Sequence, residues 1–139
     1  MTKNFICYPM VIEKHSEKEL YNAYFPDIEG CYTGGKSIQD TIEKGKEALG
    51  LHYLELETDE REIKEPSDPK EIKLKDNQKL IYIDVNMKWF REKDKYKSIT
   101  KAVTLPKYLN QKAIESGVNV SAVLQKALME TLDIKDEED

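Results

Sequence analysis

The stretch FICYPMVIEK, residues 5–14, is largely apolar, is rich in β-branched and aromatic side chains, and predicts a first strand. Pro9 has no N–H for a ladder, so it predicts an edge position or a bulge. After the polar turn HSEKE, the segment LYNAYFPDI, 20–28, reads as the returning strand. The glycines of EGCYTGG then leave room for a short third strand around Cys31–Thr33. From Ser37 the period changes to helical. Ile38, Ile42, Gly45, Leu49 and Tyr53 form one stripe, Ser37 is a suitable N-cap, and Asp40 offers a weak capping box, so a helix is predicted from about Ser37 to Leu54. Gly45 and Gly50 weaken that helix unless close packing requires them. Residues 57–79 are highly charged, contain Pro66 and Pro69, and predict a long loop or a frayed helix end.

The clearest alternation is KLIYIDVNMKWF, 79–90. It predicts a strand with Ile81, Ile83, Val85, Met87 and Trp89 on one face and Tyr82, Asp84, Asn86 and Lys88 on the other. REKDKYK, 91–97, reads as a charged linker. Beyond it Ile99, Val103 and Leu105 alternate with Thr100, Ala102 and Thr104, with Lys101 interrupting the apolar side. Pro106 opens a helix with Leu109, Ala113 and Ile114 inward, Gly117 stops it, and Asn119 caps a second helix with a broad apolar face. The expected class is α+β: an antiparallel N-terminal sheet with one packed helix over 1–90, a linker over 91–97, and a small C-terminal unit over 98–139.

That last unit raises a difficulty. About 40 residues bury too little surface to be stable alone, and one strand makes no sheet. Pairing with the same strand of a second chain resolves both, as a two-stranded antiparallel ribbon about a two-fold axis over a four-helix core. Ile99, Val103, Leu105, Leu109, Leu124 and Leu128 are the expected dimerisation residues. Such a ribbon fits the major groove of DNA, although a ribbon that serves dimerisation alone satisfies the same pattern.

Charge changes the picture by its distribution. The formal net charge is −5, yet residues 1–90 hold 13 Lys and Arg against 18 Asp and Glu, while residues 91–119 hold 7 against 3. The basic stretch is the linker, the lone strand and the helix after it, and local sign decides where a polyanion docks. The two cysteines, Cys7 and Cys31, stand in no metal-ligand spacing and are expected to be reduced, partly buried thiols of a cytoplasmic protein; with only two scattered histidines they suggest no zinc site. No signal-peptide pattern and no apolar run of the roughly 20 residues of a membrane span is present. No cofactor is expected.

KAVTLPKYLNQKAIESGVNVSAVLQKALMETL, 101–132, resembles a ribbon-helix-helix DNA-binding domain, through its alternating strand ending in Leu-Pro, a short helix closed by glycine, and a capped helix with Ser in its first turn. The resemblance implies that Thr100, Ala102 and Thr104 face the bases, with Lys101 nearby, and that Asn119, Val120 and Ser121 hold a phosphate at the second helix's N-terminus. Thr and Ala depart from the Arg, Lys, Asn or Gln common at base-facing positions, which implies modest discrimination per base. Residues 8–56, with YPMVIEK, FPDIEGCYTGG and SIQDTIEKGKEALGLHY, resemble the N-terminal domain of HicB antitoxins. That family implies a partial RNase H-like fold that binds and neutralises a HicA-like toxin, a small basic mRNA-cleaving protein. Tyr24 and Asp27 in the turn, and Glu43 and Glu47 on the helix, are the expected toxin contacts. The function implied is a type II antitoxin that autoregulates its operon through operator DNA. The competing readings are a ribbon-helix-helix repressor whose N-terminal domain senses a small molecule, and a nuclease. RNase H-type catalysis needs carboxylates converging on two Mg²⁺ ions, and nothing in the sequence brings three of Glu13, Asp27, Glu29 and Asp84 together, so no enzyme is expected.

Overall fold

A computed structural model describes residues 3–135 of the chain. The chain divides into two compact units, with the boundary in sequence between Ser98 and Ile99.

The first unit holds a four-stranded antiparallel sheet: β1 (Phe5–Lys14), β2 (Tyr21–Tyr24), β3 (Tyr32–Gly35) and β4 (Gln78–Asn86), in the order β3-β2-β1-β4. Helix α1 (Ile38–Thr58) lies between β3 and β4 in sequence and a short α2 (Met87–Asp94) follows β4. The even-numbered residues Ile6, Tyr8, Met10 and Ile12 of β1 join Ile83 and Val85 of β4 and Leu49 and Tyr53 of α1 in one buried cluster. This is the period-2 face of a sheet covered by the period-3.6 face of a helix.

β1 has the predicted bounds. Pro9 pairs in register with Tyr82 of β4, in a strand that is interior to the sheet. β2 accompanies β1 only from Val11 to Lys14, so β1 has no neighbour on that side at Pro9, and the missing N–H leaves no ladder bond unmade. β2 is shorter than predicted. Pro26 cannot donate to a ladder, and residues 25–31 close into a turn through Phe25 N–H to Cys31 O (3.1 Å) and Ile28 N–H to Phe25 O (3.1 Å). β3 begins one residue later than expected.

α1 runs a turn past Leu54. Ser37 caps it by accepting from Asp40 N–H (3.0 Å), and Asp40 reaches Lys36 N–H (3.0 Å) rather than closing the box on Ser37. Ile38 is exposed; the first turn buries Thr41, whose hydroxyl donates to Ser37 O at 2.7 Å. Both helical glycines sit at close contacts. A Cβ on Gly45 would lie 2.7 Å from Met10 Sδ of the sheet, and one on Gly50 2.3 Å from the Phe90 ring of α2.

The largest departure is at 86–94. The predicted strand to Phe90 ends at Asn86, whose side chain accepts from Lys88 N–H (3.1 Å) and caps α2. Met87 stays buried, but Trp89, expected inward, is exposed because helical phase turns it away. The stretch expected as a linker, 91–97, therefore starts inside α2. Arg91 anchors that helix with a two-pronged pair to Glu57 (3.0 and 2.5 Å) and a bond to Lys3 O (2.5 Å).

In the second unit α3 (Lys107–Glu115) and α4 (Val120–Thr131) are joined through Gly117, whose φ of +65° is the left-handed conformation that ends a helix. Asn119 caps α4 by accepting from Ala122 N–H (3.1 Å). Residues 97–106 carry neither helix nor strand in the single chain. No described residue of this unit is buried.

Candidate functional site

Three surfaces collect the residues singled out by the sequence. The first is a cleft of about 870 Å³ at the 25–31 turn, bordered by Tyr24, Tyr32, His52, Glu55 and Glu62. Tyr24 is half-buried, its ring 6.3 Å from that of the exposed Tyr32. Asp27, expected as an exposed contact, is buried instead. Ser67 donates to it from its backbone N–H (2.9 Å) and from its hydroxyl, and Lys64 Nζ lies 3.1 Å away. Burial alone would raise this carboxyl, but the Ser67 hydrogen bonds and the Lys64 charge outweigh it and hold it below the usual carboxylate range. Tyr8 donates to Lys64 O at 2.6 Å beside this network. Asp27 thus fastens the 64–67 segment to the turn, and with its side chain buried and both oxygens engaged it offers no exposed acceptor to a partner.

The second surface lies between α1 and α2. A groove of about 550 Å³ is bordered by Glu43, Glu47, Leu51, Trp89 and Lys93. A smaller one of about 310 Å³ adjoins it, with Phe5 and Asp84 on its rim and Trp89 and Phe90 common to both. The four expected toxin contacts therefore divide: Tyr24 and Asp27 belong to the turn cleft, Glu43 and Glu47 to the helical groove. Trp89 and Phe90 were placed on the wrong element by sequence. Asn86 before MKWFREKD is the capping signal that would have relocated them.

The third surface is the second unit. Thr100, Lys101, Ala102 and Thr104 are exposed on the irregular 97–106 segment, and Val120 and Ser121 are exposed in the first turn of α4. The Asn119 side-chain oxygen is occupied by its own helix. Of the expected dimerisation residues, Leu124 is half-buried and Ile99, Val103, Leu105, Leu109 and Leu128 are exposed, Ile99 at 88%.

Cys31 is buried and its thiol is pushed up to about 11 by that burial, whereas Cys7, expected to be partly covered, is exposed; both are free. Among the described residues, no three His, Cys, Asp or Glu stand together as metal ligands, and no helix is long and apolar enough to cross a membrane.

Comparison with known proteins adds the following. The family model described as "HicB_like antitoxin of bacterial toxin-antitoxin system" matches residues 8–128. A "UPF0150 protein" of Helicobacter pylori is 40% identical over 50 residues, which are 36% of this chain and 67% of that protein. Among solved structures, a "Toxin-Antitoxin complex from Streptococcus pneumoniae" aligns with a TM-score of 0.63 at 23% identity, covering 91% of this chain and 99% of that one. The Burkholderia pseudomallei antitoxin HicB aligns with a TM-score of 0.54 at 21% identity, covering 91% and 98%. At these identities the two structures speak to fold.

Proposed function

The chain belongs to the HicB-like antitoxin family of bacterial toxin-antitoxin systems, and on that premise we propose that it neutralises a HicA-like mRNA-cleaving toxin with its first unit and, dimerised through its second, binds operator DNA to repress its own operon. On this reading the protein acts by binding, not catalysis. The strand order β3-β2-β1-β4, with the main helix between β3 and β4, supports reading the first unit as a partial RNase H-like fold.

The observation that carries the dimer is the apolar surface of the second unit. Among its described residues twelve large hydrophobic side chains, from Ile99 to Ile134, are exposed in a single chain, and no residue is buried. Apolar area left in water at ~25 cal/mol per Å² would favour the unfolded or associated chain over this one. A second copy provides the cover: Ile99, Val103 and Leu105 pair as a ribbon whose other face presents Thr100, Ala102 and Thr104 to the major groove, and α3 and α4 close a four-helix core with Leu109, Leu124 and Leu128. The Asn119–Ser121 turn then faces phosphate, Asn119 through its backbone, since its side chain already caps α4, and Lys101, on the apolar side by alternation, lays its stem along the core and carries its charge out to the edge of the ribbon.

The turn cleft has the volume of a small-molecule site, which favours the second reading, a ribbon-helix-helix repressor with a ligand-sensing first unit. One experiment separates the two. The full chain and a chain truncated after Ser98 are co-expressed with a small basic HicA-like protein. The antitoxin reading expects both to rescue growth and co-purify with that protein, and only the full chain to retard operator DNA. Failure of the full chain to rescue, or operator binding by the truncated chain, overturns it.

A further inference from the structure

Trp89 stands exposed between two adjoining grooves, and its exposure is built rather than incidental. α2 has eight residues; Met87 points into the core and Phe90 enters the notch left by Gly50, so the helical phase turns Trp89 outward, where it is 55% exposed. The indole is held on two sides, edge-on against Phe90 (centroids 4.9 Å apart) and under Lys93 Nζ (4.9 Å). A ring so held loses little rotamer freedom when a partner covers it. Phe5, 72% exposed, and Leu51, 43% exposed, border the grooves on either side. Three large apolar residues around two depressions form the kind of patch that marks a protein-binding surface, and a fixed Trp is the residue type that most often dominates one.

The charges around the patch indicate what covers it. Among the described residues, Glu43, Glu47 and Asp84 on its rim make no ion pair, whereas Lys93 lies over the indole and Lys97 pairs with Asp94 at 3.7 Å. Lys46 is the cation left to face them. An apolar centre with an unpaired acidic rim is complementary to a basic protein that offers an apolar side chain. The turn cleft makes a poorer match: Glu29, Glu55 and Glu62 border it, but so do Arg61 and Lys64, and its apolar residues Phe25 and Ile28 are buried in the core instead of offered to a partner.

We propose that the α1/α2 face centred on Trp89 is where the basic toxin docks, with Trp89 as anchor and Glu43 and Glu47 as steering charges. This rests on the antitoxin reading above. The test measures affinity between the purified toxin and the full chain carrying Trp89→Ala, Trp89→Gln, Glu43→Lys with Glu47→Lys, or Tyr24→Ala with Tyr32→Ala, by calorimetry at low and high salt. Far-UV circular dichroism and operator binding serve as checks of fold. Either Trp89 variant is expected to weaken binding about 30-fold or more, the level of an interface hot spot. The double charge reversal is expected to weaken it at low salt and less at high salt. The tyrosine pair is expected to change it by less than about threefold, since neutral contacts surround a hot spot. A folded Trp89 variant within threefold of the parent overturns the proposal. So does a larger loss from the tyrosine pair, or a Trp89 variant whose free oligomeric state changes, which would assign the face to a second copy. A parent chain that does not bind the toxin at all refutes the antitoxin reading itself.

Discussion

Replacing Asp27 tests whether one buried carboxylate holds the first unit's longest loop in place. Its side chain is fully buried and accepts two hydrogen bonds from Ser67, forty residues away. Hydrogen bonds to a charged group are worth ~1.5–3 kcal/mol each. Ser67 is half-buried, so water can partly satisfy it once the carboxylate is gone, and the low end applies. The Lys64 side chain is 65% exposed, and its pair adds little. Asp27→Ala should therefore cost about 3 kcal/mol, and Asp27→Asn, which keeps one acceptor and the shape, about 1–2 kcal/mol. For a unit of this size, 3 kcal/mol corresponds to a fall of roughly 12 °C or more in Tm. Trp89 is the only tryptophan and lies in the first unit, so urea melts followed by its fluorescence report that unit. The sign with pH follows from the lowered carboxyl. Its contribution is present in full above the unfolded value of about 3.9 and is lost as pH falls through the lower folded value. The gap between parent and Asp27→Asn should be constant from about pH 5 to 8 and close below about pH 4. Double-mutant analysis with Ser67→Ala should show the two losses overlapping. A cost for Asp27→Ala under about 0.5 kcal/mol at pH 7, within the range of ordinary surface changes, would refute the reasoning, as would a gap that widens in acid.

The two helical glycines should respond with opposite severity. Gly50→Ala drives a methyl into the Phe90 ring and should cost about 1–3 kcal/mol, while Gly45→Ala meets the yielding end of Met10 and, gaining up to about 1 kcal/mol of helix propensity, should be near neutral; thermal melts compare them. Leu128→Asp, on the exposed apolar face of α4, should convert the proposed dimer to a monomer in sedimentation equilibrium and abolish operator binding without moving the first unit's Trp89 melt.

What the sequence made legible was local. β1 could be placed to the residue because a run of β-branched and aromatic positions ends at the polar turn HSEKE, and the caps at Ser37 and Asn119 and the stop at Gly117 were visible because each acts within three residues. The end of β4 was obscured because Met87 suits both periods: it continues the strand's inward set and begins the helix's. The inward edge of α1 was misplaced at Ile38 because its first buried residue is a threonine, satisfied by a backbone carbonyl and invisible to a count of apolar positions. Asp27 was read as a surface acid because its partners, Lys64 and Ser67, lie in a stretch whose composition suggests only an open loop.

The two units expose apolar surface for different physical reasons. The first unit has a complete core: thirteen buried residues drawn from sheet, turn and helices interlock without Trp89, Phe5 or Leu51. These three are surplus to folding, so a partner that covers them can leave and the unit stays folded. Among its described residues the second unit has none buried, and its strand-like segment has no ladder. In the proposed dimer its apolar residues are not surplus but half of a shared core. On that proposal association there is a condition of folding and depends on protomer concentration, whereas the docking proposed at Trp89 is an equilibrium between folded species. The proposed antitoxin, which binds and releases toxin while staying dimeric, requires this division, and the 98/99 boundary places the two kinds of surface in separate compact units.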